Sequence, residues 1–489
     1  MQSNDALQKY AKEINSINLP PPRFGHTVNF YKKSFIVLFG GSIKFDHNNN
    51  SYIMTSDLFY YNMSQLLWKK LESQKQIKAR AVHASANIND NTVVYYGGLS
   101  NKGQFADDNL WSFEIRWDET VDWIQIHTTG KTPGPRYGHS MAFMHNNLFL
   151  YGGYGISSNS NKHKKRVIMN DIWIFNIDTT RIWIKLNMED NPLIVSRLYH
   201  TFCVYTKINR ENDIIVLFGG RDSHDKSLND LFSLTKKGNN YIWEIQTAKN
   251  KEYIPISRYQ HSAAMFGPFL FIMGGKSTDS NITNFDVFSF LSNSWYNFGN
   301  IYLYRHTIWI YLNDSNPNEI KLNLYIYGGF DGKHNHEFNT KLYDIDIFKL
   351  FSEKEELKNQ LKFYLLILKN NNLIKWNAII DPCSMDPNNN IRFQSNENNN
   401  RNAINEINDN INKNNNNNIL DNIDMLEEKK ITKDIIKTGV IKRCTICLED
   451  YSIGNFISYL PCCHSFHSKC IKLWLHKTKK CPLCKIEMI

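Results

Sequence analysis

Cysteine and histidine crowd the C-terminal end of the chain at intervals that suit a metal. The series runs Cys444-x2-Cys447, Cys462-x-His464, His467-x2-Cys470 and Cys481-x2-Cys484, with fourteen residues between Cys447 and Cys462 and ten between Cys470 and Cys481. Eight nitrogen and sulfur ligands make two tetrahedral sets of four, the preference of zinc, with no position open for water. Closed sites of this kind are structural, so the metal itself does no chemistry. Metal binding would replace the core that a segment of about 50 residues can hardly build. Cys463 is an odd thiol beside the series.

The residues around the ligands extend the pattern: Leu460-Pro461-Cys462, His464-Ser465-Phe466-His467, Cys470-Ile471-x-x-Trp474-Leu475 and Cys481-Pro482-Leu483-Cys484. With them the segment resembles a RING-H2 finger, a small α+β domain. The resemblance implies interleaved ligands: Cys444, Cys447, His467 and Cys470 on one zinc ion, and Cys462, His464, Cys481 and Cys484 on a second. It implies recruitment of a ubiquitin-charged E2 enzyme through Ile446, Trp474 and Pro482, with Leu483 nearby. Trp474 stands three residues after Ile471 on an expected helix Lys469–His476, so the two share a face. An exposed Trp in so small a domain is a good interface anchor; the alternative is that it is simply core. Lys485 takes the place where the family commonly has Arg or Lys touching both E2 and ubiquitin. Lysine keeps the charge and loses the planar fork of arginine. The implied activity is E3 ubiquitin ligation: ubiquitin passes from the E2 cysteine to a substrate lysine, with no covalent intermediate on this chain. A scaffold that folds on zinc and only binds partners is the alternative.

Composition bounds the rest. The 489 residues, 42% hydrophobic and 13% aromatic, suffice for two or three folded domains. The longest candidate membrane run, Phe363–Leu368, has six residues against the roughly 20 that a span needs. Met1-Gln2-Ser3-Asn4-Asp5 has no apolar signal-peptide core. Seven of nine cysteines lie between Cys444 and Cys484, whereas a disulfide framework would spread them. The expected location is cytoplasmic, with the nucleus as the other compartment. Net charge is +10, and residues 429–489 carry twelve Lys/Arg against four Asp/Glu, a difference of +8. A basic block can meet nucleic acid, but this one lacks interleaved stacking aromatics, so a solvated surface is the better reading.

The first 350 residues repeat. Gly-Gly pairs close apolar runs at Gly40-Gly41, Gly97-Gly98, Gly152-Gly153, Gly219-Gly220, Gly274-Gly275 and Gly328-Gly329, at intervals of 57, 55, 67, 55 and 54 residues. A histidine precedes each pair: His26, His83, His139, His200, His261 and His306. Arg23, Arg80, Arg136, Arg197 and Arg258 stand three residues before the first five, and Leu303 before the sixth. After the pairs come Asp57-Leu58-Phe59, Asn109-Leu110-Trp111, Asp171-Ile172-Trp173, Asp230-Leu231-Phe232, Asp286-Val287-Phe288 and Lys341-Leu342-Tyr343, then Trp68, Trp123, Trp183, Trp243, Trp295 and Trp376. Each copy reads as one four-stranded sheet, the first with strands near His26–Phe30, Phe35–Phe39, Leu58–Tyr61 and Leu67–Leu71. A lone sheet cannot bury both faces; six stacked in a ring can. The pattern resembles the kelch repeat over residues 20–380 and implies a mainly β fold, a six-bladed propeller that holds a protein substrate. A copper oxidase on such a propeller would need secretion and a Tyr, His and Cys ligand cluster, and the sequence shows neither.

The expected domains are an N-terminal segment 1–19, a propeller 20–385, an Asn-rich disordered linker 386–428 and the RING-H2 finger 429–489. Two segments compete to close the ring. Tyr10-Ala11-Lys12-Glu13-Ile14 begins thirteen residues before Arg23, as Trp123 stands before Arg136, and Leu373–Ile380 carries Trp376. Glu353–Lys369 reads as a helix inserted into the sixth blade, with Leu357, Leu361, Leu365 and Leu368 on one face. Residues 387–422 lack the apolar area to fold, and a helix is expected at Leu420–Lys437. The repeated His and Arg read as ties between blades, and Cys203 as packing. Substrate contacts are expected in the loops Ser42–Ser56 and Tyr154–Met169, the second basic through Lys162, Lys164, Lys165 and Arg166.

Overall fold

The computed structural model describes residues 5–371 apart from 33–34, 74, 157–164, 178–179, 188–193, 208–212, 239, 281–282, 317–318 and 333–336, and beyond them residues 373, 429–430, 444–447, 449–460, 465–478 and 480–482. Two compact units divide the chain: one comprises Met1–Tyr311 and Asn323–Asp346, the other Leu312–Leu322 and Ile347–Ile489.

Six four-stranded antiparallel sheets carry the six repeats. The first contains Thr27–Tyr31, Phe35–Phe39, Leu58–Asn62 and Leu67–Leu71 in that order, close to the strands the sequence predicts. Its second strand is apolar throughout, and Ile36, Val37, Leu38 and Phe39 are fully buried because both faces of the sheet are covered. The core lies between consecutive sheets. Val37, Phe39 and Leu58 of the first pack with Val93, Tyr95 and Phe113 of the second, and the pattern continues sheet to sheet. The repeated Trp sits at these junctions: Trp123 packs on the first sheet, Trp183 on the second, Trp243 on the third and Trp295 on the fourth.

The glycine pairs make the junctions possible. In every copy the second glycine donates its N–H across to the next sheet: Gly41 to the Arg80 carbonyl at 2.8 Å, Gly98 to Arg136 at 2.8 Å, Gly153 to Arg197 at 2.8 Å, Gly220 to Arg258 at 2.9 Å and Gly275 to Leu303 at 2.8 Å. Gly329 donates to Arg23 at 2.8 Å and so returns to the first sheet. The six sheets therefore close into a ring, as a β-propeller requires. A Cβ on Gly40, at φ +67°, would stand 2.6 Å from the Arg80 carbonyl oxygen, so no other residue fits there.

The N-terminus closes the ring. Ala11–Glu13 forms the outer strand of the sixth sheet, pairing Ala11 with Ile345, Lys12 with Asp344 and Glu13 with Tyr343. Tyr10 meets Phe298 of the fifth sheet edge-on at 6.0 Å, and Ala11, opposite Ile345, takes the register position that Trp holds in the other sheets. Trp376 lies outside the described residues. Because the N-terminus supplies the fourth strand, the expected helix interrupts nothing. It runs Glu355–Asn370, after a shorter helix Ile347–Ser352 that the sequence did not suggest, and buries Leu357, Leu361, Leu365 and Leu368 as expected.

The repeated polar residues divide their labour differently from the expectation. The arginines tie within one repeat: Arg197 Nη1 donates to Gly219 O at 2.9 Å and pairs with Asp230 at 2.6 Å, and Arg80, Arg136 and Arg258 pair with Asp107, Asp171 and Asp286 at 2.5, 2.7 and 2.6 Å. Arg23 and Asp57 are looser at 3.8 Å. In the second copy the partner is Asp107, two residues before the Asn109 that alignment suggests. The sixth copy has lost both members, with Leu303 and Lys341 in their places. The histidines do link neighbours. His83 Nε2 meets Thr27 Oγ1 at 2.9 Å, His261 meets Thr201 at 3.0 Å, and His26 meets Thr307 at 2.8 Å. Ser140 and Ser262 instead donate to the carbonyls of His200 and His306. Ala84, which holds the equivalent position in the second repeat, has no hydroxyl.

The Asn-rich linker lies outside the described residues, as does most of Leu420–Lys437. Within that expected helix, Lys429–Lys430 is a short strand paired with Ile457 and Phe456, which corrects the helical expectation there. Phe456, Tyr459 and the β-branched Ile457 favour a strand, into which the adjoining segments zip. Among the described residues, no helix is long and apolar enough to cross a membrane.

Candidate metal centre

A turn, a strand and a helix build the site. Cys444–Cys447 forms a tight turn, Ser465–His467 pairs as a strand with Phe456–Tyr459, and helix Ser468–Thr478 follows at once. Cys470 thus lies one helical turn beyond His467, and both face the first turn. The ligand atoms of Cys444, Cys447, His467 and Cys470 all lie within 4.8 Å of one another. Bonds of about 2.0–2.1 Å to nitrogen and 2.3 Å to sulfur place tetrahedral ligands under about 4 Å apart, so small side-chain shifts fit the set to zinc.

The electrostatics suit a dication. Cys444 is buried, which opposes ionisation, yet the backbone N–H groups of Cys447, His467 and Ile446 hold its thiol below the usual value. Burial and the sulfurs of Cys447 and Cys444 push Cys470 up to about 12. Thiols packed so closely ionise together only around a cation. His467 turns Nδ1 to Cys447 Sγ at 3.2 Å and Nε2 to Asn455 Oδ1 at 3.3 Å. Asn455 thereby orients the imidazole from behind; no spacing or motif pointed to it.

Cys481 is buried in the same small core as Cys444, Tyr451, Ile457, Phe466, Ile471 and Leu475. Its expected companions Cys462, His464 and Cys484 lie outside the described residues, as do Cys463, Leu483 and Lys485. Ile446 and Trp474 pack against that core from its half-exposed edge. Ile471 is fully buried, so Trp474 is the member of that helix face that reaches solvent. Trp474 Nε1 donates to Lys480 O at 2.8 Å, which pins the helix to the approach to Cys481 and Pro482. Leu473 beside it is 68% exposed.

Both substrate-loop candidates have internal structure. Ser42–Asp46 pairs with Ser51–Met54 as a hairpin. Tyr154–Ile156 pairs with Arg166–Ile168 and Arg136–Tyr137, and Arg166 lies over Phe105 at 4.9 Å. Lys162 and Lys164 lie outside the described residues. Burial pushes the Cys203 thiol up to about 12, so it packs rather than reacts. Cys383 lies outside.

Residues 8–208 and 163–301 match the KLHDC2/KLHL20/DRC7 Kelch-repeats domain family, and residues 442–485 match the Ring finger domain family. The kelch matches cover more than half of the chain: it belongs to the kelch-repeat family and ends in a RING finger. It is 28% identical over 262 residues to a host cell factor homolog of Caenorhabditis elegans, covering 52% of this chain and 32% of that protein. It is 27% identical over 283 residues to an F-box/kelch-repeat protein of Arabidopsis thaliana, 54% of this chain and 53% of that one. Over 65 residues it is 35% identical to an E3 ubiquitin-protein ligase RING1-like protein of Arabidopsis thaliana, 13% of this chain and 20% of that protein. These relatives are thus matched over about half of their length or less.

Proposed function

We propose that the chain is a RING-type E3 ubiquitin ligase whose kelch ring holds a protein substrate. The observation that carries this reading is the Cys444, Cys447, His467 and Cys470 quartet with Ile446 and Trp474 packed on the same small core. Two structural zinc ions would be held by that quartet and by Cys462, His464, Cys481 and Cys484. The likeness to an E3 ligase RING supports the activity. Ile446, Trp474, Pro482 and Leu483 would dock the E2, and Lys485 would reach E2 and ubiquitin together.

The substrate lysine amine attacks the E2–ubiquitin thioester carbonyl and the E2 thiolate leaves. The RING contributes position: it restricts a mobile thioester to one reactive geometry, lowering the entropy of activation. Thiols at this density belong in a reducing compartment, which supports a cytoplasmic or nuclear location. Self-ubiquitination of the full chain with E1, ATP, ubiquitin and a panel of E2 enzymes tests the proposal. Modification that disappears in Cys444→Ser supports it. A zinc-loaded chain inert with every E2 would mean a binding scaffold.

A further inference from the structure

Trp474, the residue that the ligase reading sets against an E2, is held from behind by a small hydrogen-bond network. Its indole Nε1 donates to Lys480 O at 2.8 Å. The Thr478 hydroxyl bears on the same two residues, with Oγ1 3.1 Å from Trp474 O and 3.5 Å from Lys480 O. A hydroxyl has one proton to donate, and two carbonyls stand within its reach. Thr478 therefore ties the last turn of the helix to the stretch that leads into Cys481 and Pro482. It is nonetheless exposed, as are Lys477 before it and Lys480 after it.

The charges around this hydroxyl are one-sided. The local sequence is Lys477-Thr478-Lys479-Lys480, and no acidic residue stands between Ser468 and Pro482. Among the described residues, Lys477 and Lys480 have no carboxylate within ion-pair distance. Thr478 is also the last residue of helix Ser468–Thr478. Carbonyls without helical partners gather negative partial charge at such an end. An enzyme with an acidic cleft would find complementary charge on both sides of an accessible hydroxyl.

We propose that Thr478 is a phosphorylation site for a Ser/Thr kinase that selects basic flanks, and that the phosphate switches off docking at Trp474. This rests on the ligase reading for what Trp474 binds and on the network alone for the site. Thr478 Oγ1 attacks the γ-phosphorus of ATP, and the new O–P bond forms as the bond to ADP breaks. The hydroxyl proton passes to a base of the kinase. The ester oxygen that results has no proton, so it donates to neither carbonyl. The phosphate sets about −1.5 to −2 charges at a helix C-terminus, against the two oxygens that had accepted from Thr478, and such a placement is disruptive. Lys477 and Lys480 draw it outward by charge-assisted hydrogen bonds. As Lys480 moves, the indole loses its acceptor and the ring its fixed orientation, so an E2 meets a face that is no longer preorganised. Cys470 lies two turns back along the helix, and the zinc quartet is expected to hold.

The test treats the full zinc-loaded chain and Thr478→Val with ATP and a panel of kinase catalytic domains selective for basic flanks, and maps the phosphate by mass spectrometry. Discharge of a preloaded E2–ubiquitin thioester onto free lysine is then timed before phosphorylation, after it, and after phosphatase treatment. Fluorine NMR of the 5-fluorotryptophan-labelled chain follows Trp474, its resonance assigned from Trp474→Phe. The expected result is phosphate on Thr478, discharge slowed about tenfold and restored by phosphatase, a shifted Trp474 resonance and unchanged zinc content. No phosphate at Thr478 from any kinase overturns the proposal. Equal discharge by the modified and unmodified chains overturns it and leaves the ligase reading standing. Zinc lost on phosphorylation overturns it too, because the finger then comes apart instead of switching. If the unmodified chain discharges no E2, the ligase reading falls, and a Trp474 resonance shifted by phosphate at Thr478 leaves the site standing.

Discussion

Asn455 Oδ1 stands 3.3 Å from His467 Nε2, on the side of the imidazole opposite Cys447 Sγ. A zinc ligand must present a bare nitrogen, and a hydrogen bond from the other nitrogen decides which one is bare. Asn455→Ala is therefore expected to weaken zinc binding by about 10- to 100-fold. Chelator competition measures it. Unchanged affinity would mean that the contact does not orient the ring.

The Arg197–Asp230 pair predicts an asymmetry. Arg197 is fully buried and Asp230 partly so. Arg197→Leu strands a carboxylate against a vacated site and should cost about 3–5 kcal/mol, whereas Arg197→Leu with Asp230→Leu should recover much of that. The sixth repeat, with Leu303 and Lys341, is a natural precedent for losing both. Urea unfolding of the single and double variants decides the matter.

Acid should unfold the kelch ring through its histidines. Burial holds all six well below the usual value, His139 and His306 near 3. Above pH 6.5 neither folded nor unfolded histidine is charged, and stability is unaffected. Below it the unfolded chain takes up protons that the folded chain refuses, so stability falls by about 1.4 kcal/mol per pH unit for each histidine. Asp171 works in the same direction lower down: burial raises its carboxyl, but Arg136 and Trp173 more than offset this, so its stabilisation vanishes as pH falls below the carboxylate range. Urea midpoints between pH 7.5 and 5 should drop steeply; a flat profile would contradict neutral buried histidines.

Ala84 marks a missing link. Thr27, Thr201 and Thr307 each offer a hydroxyl to a neighbouring histidine, and Ala84 holds the equivalent position in the second repeat without one. Ala84→Thr is expected to supply that bond and stabilise by about 0.5–1.5 kcal/mol. A lowered melting temperature would show that the site has no room for the hydroxyl.

Much of this was legible because backbone geometry forces residue type. Gly40 and its counterparts admit no Cβ, so the repeat shows directly. The quartet spacing likewise exposed Cys444, Cys447, His467 and Cys470. Asp107 was hidden because its carboxylate reaches Arg80 from a position two residues out of step. The closing strand is only Ala11–Glu13, too short for periodicity to choose it over Leu373–Ile380. The backbone hydrogen bonds that link Gly25, Val82, Gly138, Tyr199, Gln260 and Arg305 left no compositional trace, since main-chain groups make them whatever the side chain. Lys429–Lys430 is extended because Phe456 and Ile457 offer it a ladder, which local sequence cannot reveal.

The most direct test of the central claim is single-turnover discharge of a preloaded E2–ubiquitin thioester onto free lysine. It isolates the RING from substrate binding. The full chain should accelerate discharge, and Trp474→Ala should abolish that effect with zinc content unchanged, whereas Cys444→Ser should lose zinc and activity together. Discharge that ignores the zinc-loaded chain with every E2, or that is indifferent to Trp474→Ala, would contradict the account.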